Sequence, residues 1–520
     1  MPSGSAPGAF PTLHALITLT GQGESGKGKK KADGADGANT THNNSSSCVY
    51  DVKFYPYTHP EDEAVFAVVV ATSVYVFRPL PNPKHPHDIL AVFKDPQPDA
   101  SLNSLVWSQD LETTDPLLCI GGAGSGDIKI FNVVKEKFDR NLSGHGGAIN
   151  DLAVSPLSPC ILASASADFS IRIWNLAAEY RKQPCAAILA SPDAHKQPVL
   201  ALAFHQSGKY LLSGGTDTMI NLWAVPDVPD VNAGTDNTTM VYFPHFSSTE
   251  IHSDYVDCIR WHGDLILSHA AYTGVEELVP RKNAILLWKI DGFSSASPVP
   301  DDPPMASPGV FTRSAFGGRF QRLLTFDMPH TSPFYMRFSL FAGAKHHPIL
   351  VMGNDKSKLS FWDLNALWIG RAQQSTASRG GRGKRLRGGR VGSLSRPNDE
   401  PAAEGDESDS SSSSEFGDEA EEEEEETPVG TPVRAARGGR GGRGGRGGKS
   451  NRQKAKEARF DITDPFRPIA PHYNVTVPKY NFTFRQVAWS NCGSWCVAVG
   501  DIGIVCIFRR WIDAKAARKE

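Results

Sequence analysis

His145, Ser164 and Asp168 are the residue types of a hydrolytic triad, in which a base activates a hydroxyl and a carboxylate orients the base. The same types recur 50 residues on as His195, Ser213 and Asp217. In both copies the Ser-to-Asp gap is four residues, and a Trp follows the Asp by six, Trp174 in the first and Trp223 in the second. A catalytic triad occurs once per active site, whereas this set repeats with strand-like text between its markers. The reading that fits is structural. A His entering a unit bonds a Ser on the next strand, and Ser and Asp carry the bonding on to the indole N–H, tying strands together. No catalytic residue is assigned.

A period of about 50 residues with several short strands per unit is the sequence mark of a β-propeller. Strand text at Val49–Phe54, Ala64–Phe77, Leu102–Trp107, Pro116–Gly121 and Ile128–Val133 precedes the two clear repeats, at about 145–178 and 195–226. Tyr255–Trp261, Leu265–Ser268 and Ala284–Ile290 make a fifth set; Leu323–Phe326, Tyr335–Leu340, Ile349–Gly353 and Leu359–Leu364 a sixth; Phe482–Trp489, Trp495–Val499 and Ile504–Phe508 a seventh. The expected fold is all-β, a seven-bladed propeller of about four strands per blade. The markers decay outside the clear repeats: Lys356 stands six places before Trp362, and Phe131 and Phe508 end the second and seventh sets. An isolated strand within residues 1–20 is expected to complete the last blade, since an open edge strand invites aggregation.

Composition bounds the rest. The 54 basic and 57 acidic residues nearly cancel, but they are segregated. Residues 21–46 read as a flexible loop, 47–371 as blades one to six, 372–460 as a long disordered insertion between blades six and seven, and 461–520 as the last blade and C-terminus. The insertion carries six consecutive Glu (421–426) and four consecutive Arg-Gly-Gly units (437–448). Arg-Gly-Gly suits RNA or DNA phosphates and bases, and the acidic run suits basic histone tails; a solvated spacer is the alternative. The eight Cys form no C-x-x-C pair, which fits free thiols in a reducing compartment. There is no metal-spaced Cys/His cluster, no cofactor motif and no apolar run of the ~18 residues that a membrane span needs. A soluble, intracellular, noncatalytic protein is expected.

More specific text lies in the middle of the chain: Val241-Tyr-Phe-Pro-His-Phe-Ser247, then Glu250-Ile-His-Ser-Asp-Tyr-Val-Asp-Cys-Ile-Arg-Trp261 and Gly263-Asp-Leu-Ile-Leu-Ser268. With Gly144-His-Gly-Gly-Ala-Ile-Asn150, Ser166–Asn175, Phe334-Tyr-Met-Arg-Phe-Ser339 and Phe361-Trp-Asp-Leu364, it resembles the EED / Extra sex combs family, the WD40-repeat subunit of Polycomb repressive complex 2. The resemblance covers about 48–366 and 478–511. It implies a nuclear, noncatalytic scaffold that holds a trimethylated lysine of a histone H3 tail at one propeller mouth. On the opposite face, a groove would receive a helix of the SET-domain methyltransferase that the protein stimulates.

The resemblance also implies an aromatic cage, because a quaternary ammonium cannot donate hydrogen bonds but is drawn to ring faces. By matching text its walls fall on Tyr50, Phe334 and Tyr335, with Arg485 lining the channel nearby. The family's remaining Tyr falls on Asn103, which supplies no ring face, so weaker methyl-lysine binding than the family norm is expected. A propeller adaptor in ribonucleoprotein or ribosome assembly, acting through the Arg-Gly-Gly and acidic segments, is the reading from a different class.

Overall fold

The computed structural model describes residues 9–19, 48–59, 62–97, 100–271, 283–304, 311–343, 346–367, 460 and 462–510. They fold as seven mainly antiparallel sheets arranged as propeller blades, with the innermost strands of most neighbouring blades in contact. Middle strands such as Phe66–Val70 (Phe-Ala-Val-Val-Val) and Tyr210–Gly215 are buried along their whole length, because a blade is covered on both faces by its neighbours. That is why the sequence gives unbroken apolar runs there instead of strict alternation. Outer strands such as His87–Lys94 face water and carry exposed Ile89 and Val92, so their pattern is weak and several were not legible.

Thr12–Thr18 pairs antiparallel with Ile504–Arg509, Leu16 opposite Cys506, and so forms the outer strand of blade seven. The ring is thereby closed by joining the chain's two ends within one sheet. Leu13 and Leu16 pack against the cluster that holds Phe484, Cys506 and Phe508.

Two strand assignments need correction. Leu323–Phe326 lies in Phe320–Asp327, which hydrogen-bonds along Ala284–Ile290 as the outer strand of blade five, not the first of blade six. The excursion 291–319 separates the two in sequence and conceals the pairing. Blade six instead begins at Ser339–Phe341, and Tyr335 lies outside any strand. Nor does all of 461–520 belong to the last blade. Pro468–Ile469 runs parallel beside Phe320–Asp327 of blade five, and Tyr473–Thr476 is the outer strand of blade six. The chain returning from residue 460 therefore edges blades five and six before blade seven starts at Phe484. The 21–46 stretch and nearly all of 372–460, with the acidic run and the Arg-Gly-Gly units, lie outside the described residues.

Carboxylates on inner strands accept backbone N–H groups from the next blade or the segment leading into it. Asp51 accepts from the Leu105 N–H at 3.0 Å, Asp151 from Leu202 at 2.9 Å, and Asp257 from Met336 at 3.2 Å. All three are buried. Each satisfies a backbone donor that the neighbouring sheet leaves open, which is the condition for burying a carboxylate at all.

Candidate functional site

The triad-like sets are internal braces. His145 Nε2 lies 2.7 Å from Ser164 Oγ and its Nδ1 2.8 Å from Asp168, while the Trp174 indole donates to the same Ser164 Oγ at 2.8 Å. In the second set His195 is 2.8 Å from Ser213 Oγ and 3.1 Å from Asp217, and the Trp223 indole donates to Ser213 at 2.9 Å. Each serine oxygen is thus engaged on two sides, and both sit fully buried. A nucleophile needs an open face, and these have none.

Sequence reading missed a third set. In blade five His252 Nε2 lies 2.7 Å from Ser268 Oγ, and the Trp288 indole donates to it at 2.9 Å. Trp288 pairs opposite Ile266 as Trp174 pairs opposite Leu162, so the geometry is shared. Intervening chain between Ala271 and Ala284 destroys the Ser-to-Trp spacing that revealed the other two. The surviving signal was a His before Ser268 at nearly the repeat distance.

At one end of the ring the inner strands share a second feature. Each carries one extra residue in its pairing at the same level: Tyr50, Asn103, Asn150, Leu200, Asp257 and Arg485 in blades one to five and seven. A β-bulge of this kind leaves a residue out of the ladder and re-aims its side chain, commonly at a barrel rim or site. Blade six has a short inner strand, and the irregular Phe334–Phe338 fills the gap between its neighbours. Arg337 N–H donates to the Arg485 carbonyl at 2.8 Å, and Tyr335 takes a left-handed backbone with φ 61°.

These bulges bring the candidate residues together. Tyr50 and Tyr335 stand edge to face with ring centroids 6.2 Å apart, and Phe334 and Tyr335 likewise at 4.4 Å. The Tyr335 hydroxyl donates to Asn150 Oδ1 at 3.1 Å, and Asn103 Nδ2 lies 3.5 Å from the same hydroxyl. Tyr50, Asn103, Phe334 and Tyr335 are all half-buried, neither core nor open surface. Arg485 donates to Asp501 at 2.8 Å and to the Phe334 carbonyl, with its guanidinium 5.8 Å from the Tyr50 ring. A recess of about 480 Å³ opens beside Tyr50, lined also by Cys48, Thr483, Arg485, Asp355 and Asp501.

Its charges are fixed by neighbours. Burial opposes ionisation of Asp501, but hydrogen bonding and attraction from Arg485 outweigh it and hold the carboxyl below its ordinary range. Burial, reinforced by Asp501, pushes the Cys48 thiol up to about 12, so it stays protonated and donates to Asp501 at 3.0 Å. Burial likewise raises both Tyr50 and Tyr335, leaving neutral rings.

Beneath the rings lies Arg337, buried and 5.1 Å from the Tyr335 centroid. It bonds Asp151 at 2.9 Å and the Asn150 and Leu200 carbonyls at 3.0 Å. Sequence reading assigned it nothing, nor Asn150. Both become neighbours of Tyr335 only once the ring closes. At the other ends of the inner strands a cleft of about 440 Å³ is lined by Lys53, Val154, Phe204, Arg260, Trp261 and Ala342. Among the described residues no group of three or more His, Cys, Asp or Glu is placed to hold a metal ion, and no helix is long and apolar enough to cross a membrane.

Comparison with known proteins places this geometry. The WD domain, G-beta repeat model matches residues 136–175 and 186–224, which contain the two legible braces. Polycomb protein EED of Chaetomium thermophilum is 42% identical over 331 residues, 61% of this chain and 56% of that protein, so the match spans little more than half of its length. Polycomb protein esc of Drosophila melanogaster is 27% identical over 336 residues, covering 62% of this chain and 71% of that protein. A chain in the crystal structure of Chaetomium thermophilum polycomb repressive complex 2 matches with TM-score 0.74 and 32% identity, over 98% of this chain and 99% of that one. A chain from a structure of that complex with H3K27me3 and H3K27M matches with TM-score 0.72 and 30% identity, over 98% and 99%.

Proposed function

The chain belongs to the EED / Extra sex combs family of Polycomb proteins, and from that membership we propose that it is a noncatalytic subunit of a Polycomb-type histone H3 lysine methyltransferase complex. In this reading it is a nuclear scaffold that binds a methylated lysine of the H3 tail at the bulged mouth. It holds a helix of the SET-domain subunit on the opposite face and stimulates that subunit in gene silencing.

One observation carries the ligand site: three rings, Tyr50, Phe334 and Tyr335, converge at one mouth where, among the described residues, the two arginines beside them are already paired. Arg485 is committed to Asp501 and Arg337 to Asp151, so the ring faces meet a cationic ligand without a free guanidinium to repel it. Methylammonium gains from such faces because its charge is diffuse and its hydration weak.

The opposite cleft supports the scaffold role. It combines Leu152, Val154, Phe204 and Trp261 with Lys53 and Arg260, a mixed apolar and basic lining suited to an amphipathic helix with acidic residues. Any RNA or DNA contact through 437–448 is a further part of the proposal, tested by salt-sensitive binding of segment 372–460.

The experiment is calorimetric titration of the full chain with H3-tail peptides carrying unmethylated or methylated lysine. Methyl-dependent affinity is expected; equal affinity for every peptide removes the ligand site from the account and leaves the scaffold role standing.

A further inference from the structure

Asn103 occupies the bulge of blade two, with its amide against the Tyr335 hydroxyl. Its Oδ1 is buried and has no hydrogen-bond partner among the described residues. A buried carbonyl oxygen without a donor is costly and rare in a native fold. Neighbouring donors are committed elsewhere: the Tyr335 proton goes to Asn150 Oδ1, the Asn150 amide to the Val199 carbonyl, and Arg485 to Asp501 and Phe334. A ligand that carries an N–H can supply the missing donor.

Resting on the methyl-lysine reading above, we propose that Asn103 sets the methylation state that this mouth accepts, favouring mono- and dimethyl-lysine over trimethyl-lysine. A mono- or dimethylammonium group retains an N–H. Its methyls lie against the Tyr50, Phe334 and Tyr335 rings, and a turn of the amide about its Cβ–Cγ bond presents Oδ1 to the N–H. A trimethylammonium group has no proton to give. It would leave the oxygen orphaned and set one side of its diffuse charge against an amide instead of a ring. Unmethylated lysine has the proton, but its compact charge is strongly hydrated and gains least from ring faces.

The test is titration of the full chain with four H3-tail peptides, bearing un-, mono-, di- and trimethylated lysine, alongside Asn103→Leu and Asn103→Tyr. Wild type is expected to bind the dimethyl peptide about tenfold tighter than the trimethyl, which corresponds to about 1.4 kcal/mol. N103L, similar in size but without an acceptor, should lose that preference, and N103Y should reverse it. Unchanged thermal melts show that both variants fold. Wild type that binds the trimethyl peptide as tightly as the dimethyl, or N103L that keeps the preference, overturns the role of Asn103 but not the site. Equal binding of all four peptides overturns the methyl-lysine reading itself.

Discussion

At the residue scale, the same residue types serve two different purposes according to what surrounds them. Ser164 is a candidate nucleophile by type but a brace by position, since both His145 and Trp174 converge on its oxygen. Ser164→Ala strands an indole N–H and an imidazole nitrogen in the core, so a stability loss of about 1–3 kcal/mol is expected in denaturant unfolding. Methyl-peptide affinity should not change. Tyr335 is the converse case. Tyr335→Ala removes a ring face worth about 0.5–2 kcal/mol and also the partner of Asn150, so discrimination between methylated and unmethylated peptides should collapse by calorimetry. Tyr50, Phe334 and Tyr335 could be proposed from sequence because flanking text matched a family, and Asn103 stood out because it broke the match. Arg337 and Asn150 were not legible: Arg337 meets Asp151 across 186 residues of chain, and no local pattern encodes that meeting.

The element scale explains why the ring could be counted from sequence while its edges could not. Inner and middle strands are dictated by burial on both faces and announce themselves as apolar runs. Outer strands are half-solvated, and in blades five and six they come from distant chain, Phe320–Asp327 and Tyr473–Thr476. The brace in blade five was lost for a related reason, since insertion between its strands changes spacing but not geometry. That brace has a pH signature. Burial, with His269 and Arg322 adding repulsion, lowers His252 from 6.5 to about 3. Between those values the unfolded chain binds the extra proton, so stability falls as pH drops below about 6.5. Urea midpoints should decline from pH 7 to pH 5, and His252→Gln should make the decline shallower. Closure offers a second test. Removing residues 1–19 bares the Ile504–Arg509 edge and uncovers Phe508. Each kcal/mol lost lowers Tm by about 2–4 °C in domains of 150–250 residues, so a drop of about 5 °C or more is expected, with concentration-dependent aggregation.

For the whole molecule, the proposed ligand mouth and the proposed partner cleft fall at opposite ends of one set of inner strands. Tyr50 and Lys53 lie on the same strand, Val49–Phe54, one beside the bulged mouth and the other lining the far cleft. Carboxylate ties such as Asp51 to Leu105 link neighbouring blades between those ends. A ligand at one mouth and a catalytic partner at the other would therefore share a common frame, with the chemistry left to the partner. The most direct measurement of that claim is affinity capture of the full-length protein from its native cells, followed by identification of what remains bound after a salt wash. A SET-domain methyltransferase should be recovered in stoichiometric amount, and its activity on nucleosomes should rise when methylated H3 peptide is added to the captured complex. Recovery of ribonucleoprotein or ribosome-assembly factors with no SET-domain protein would contradict the account.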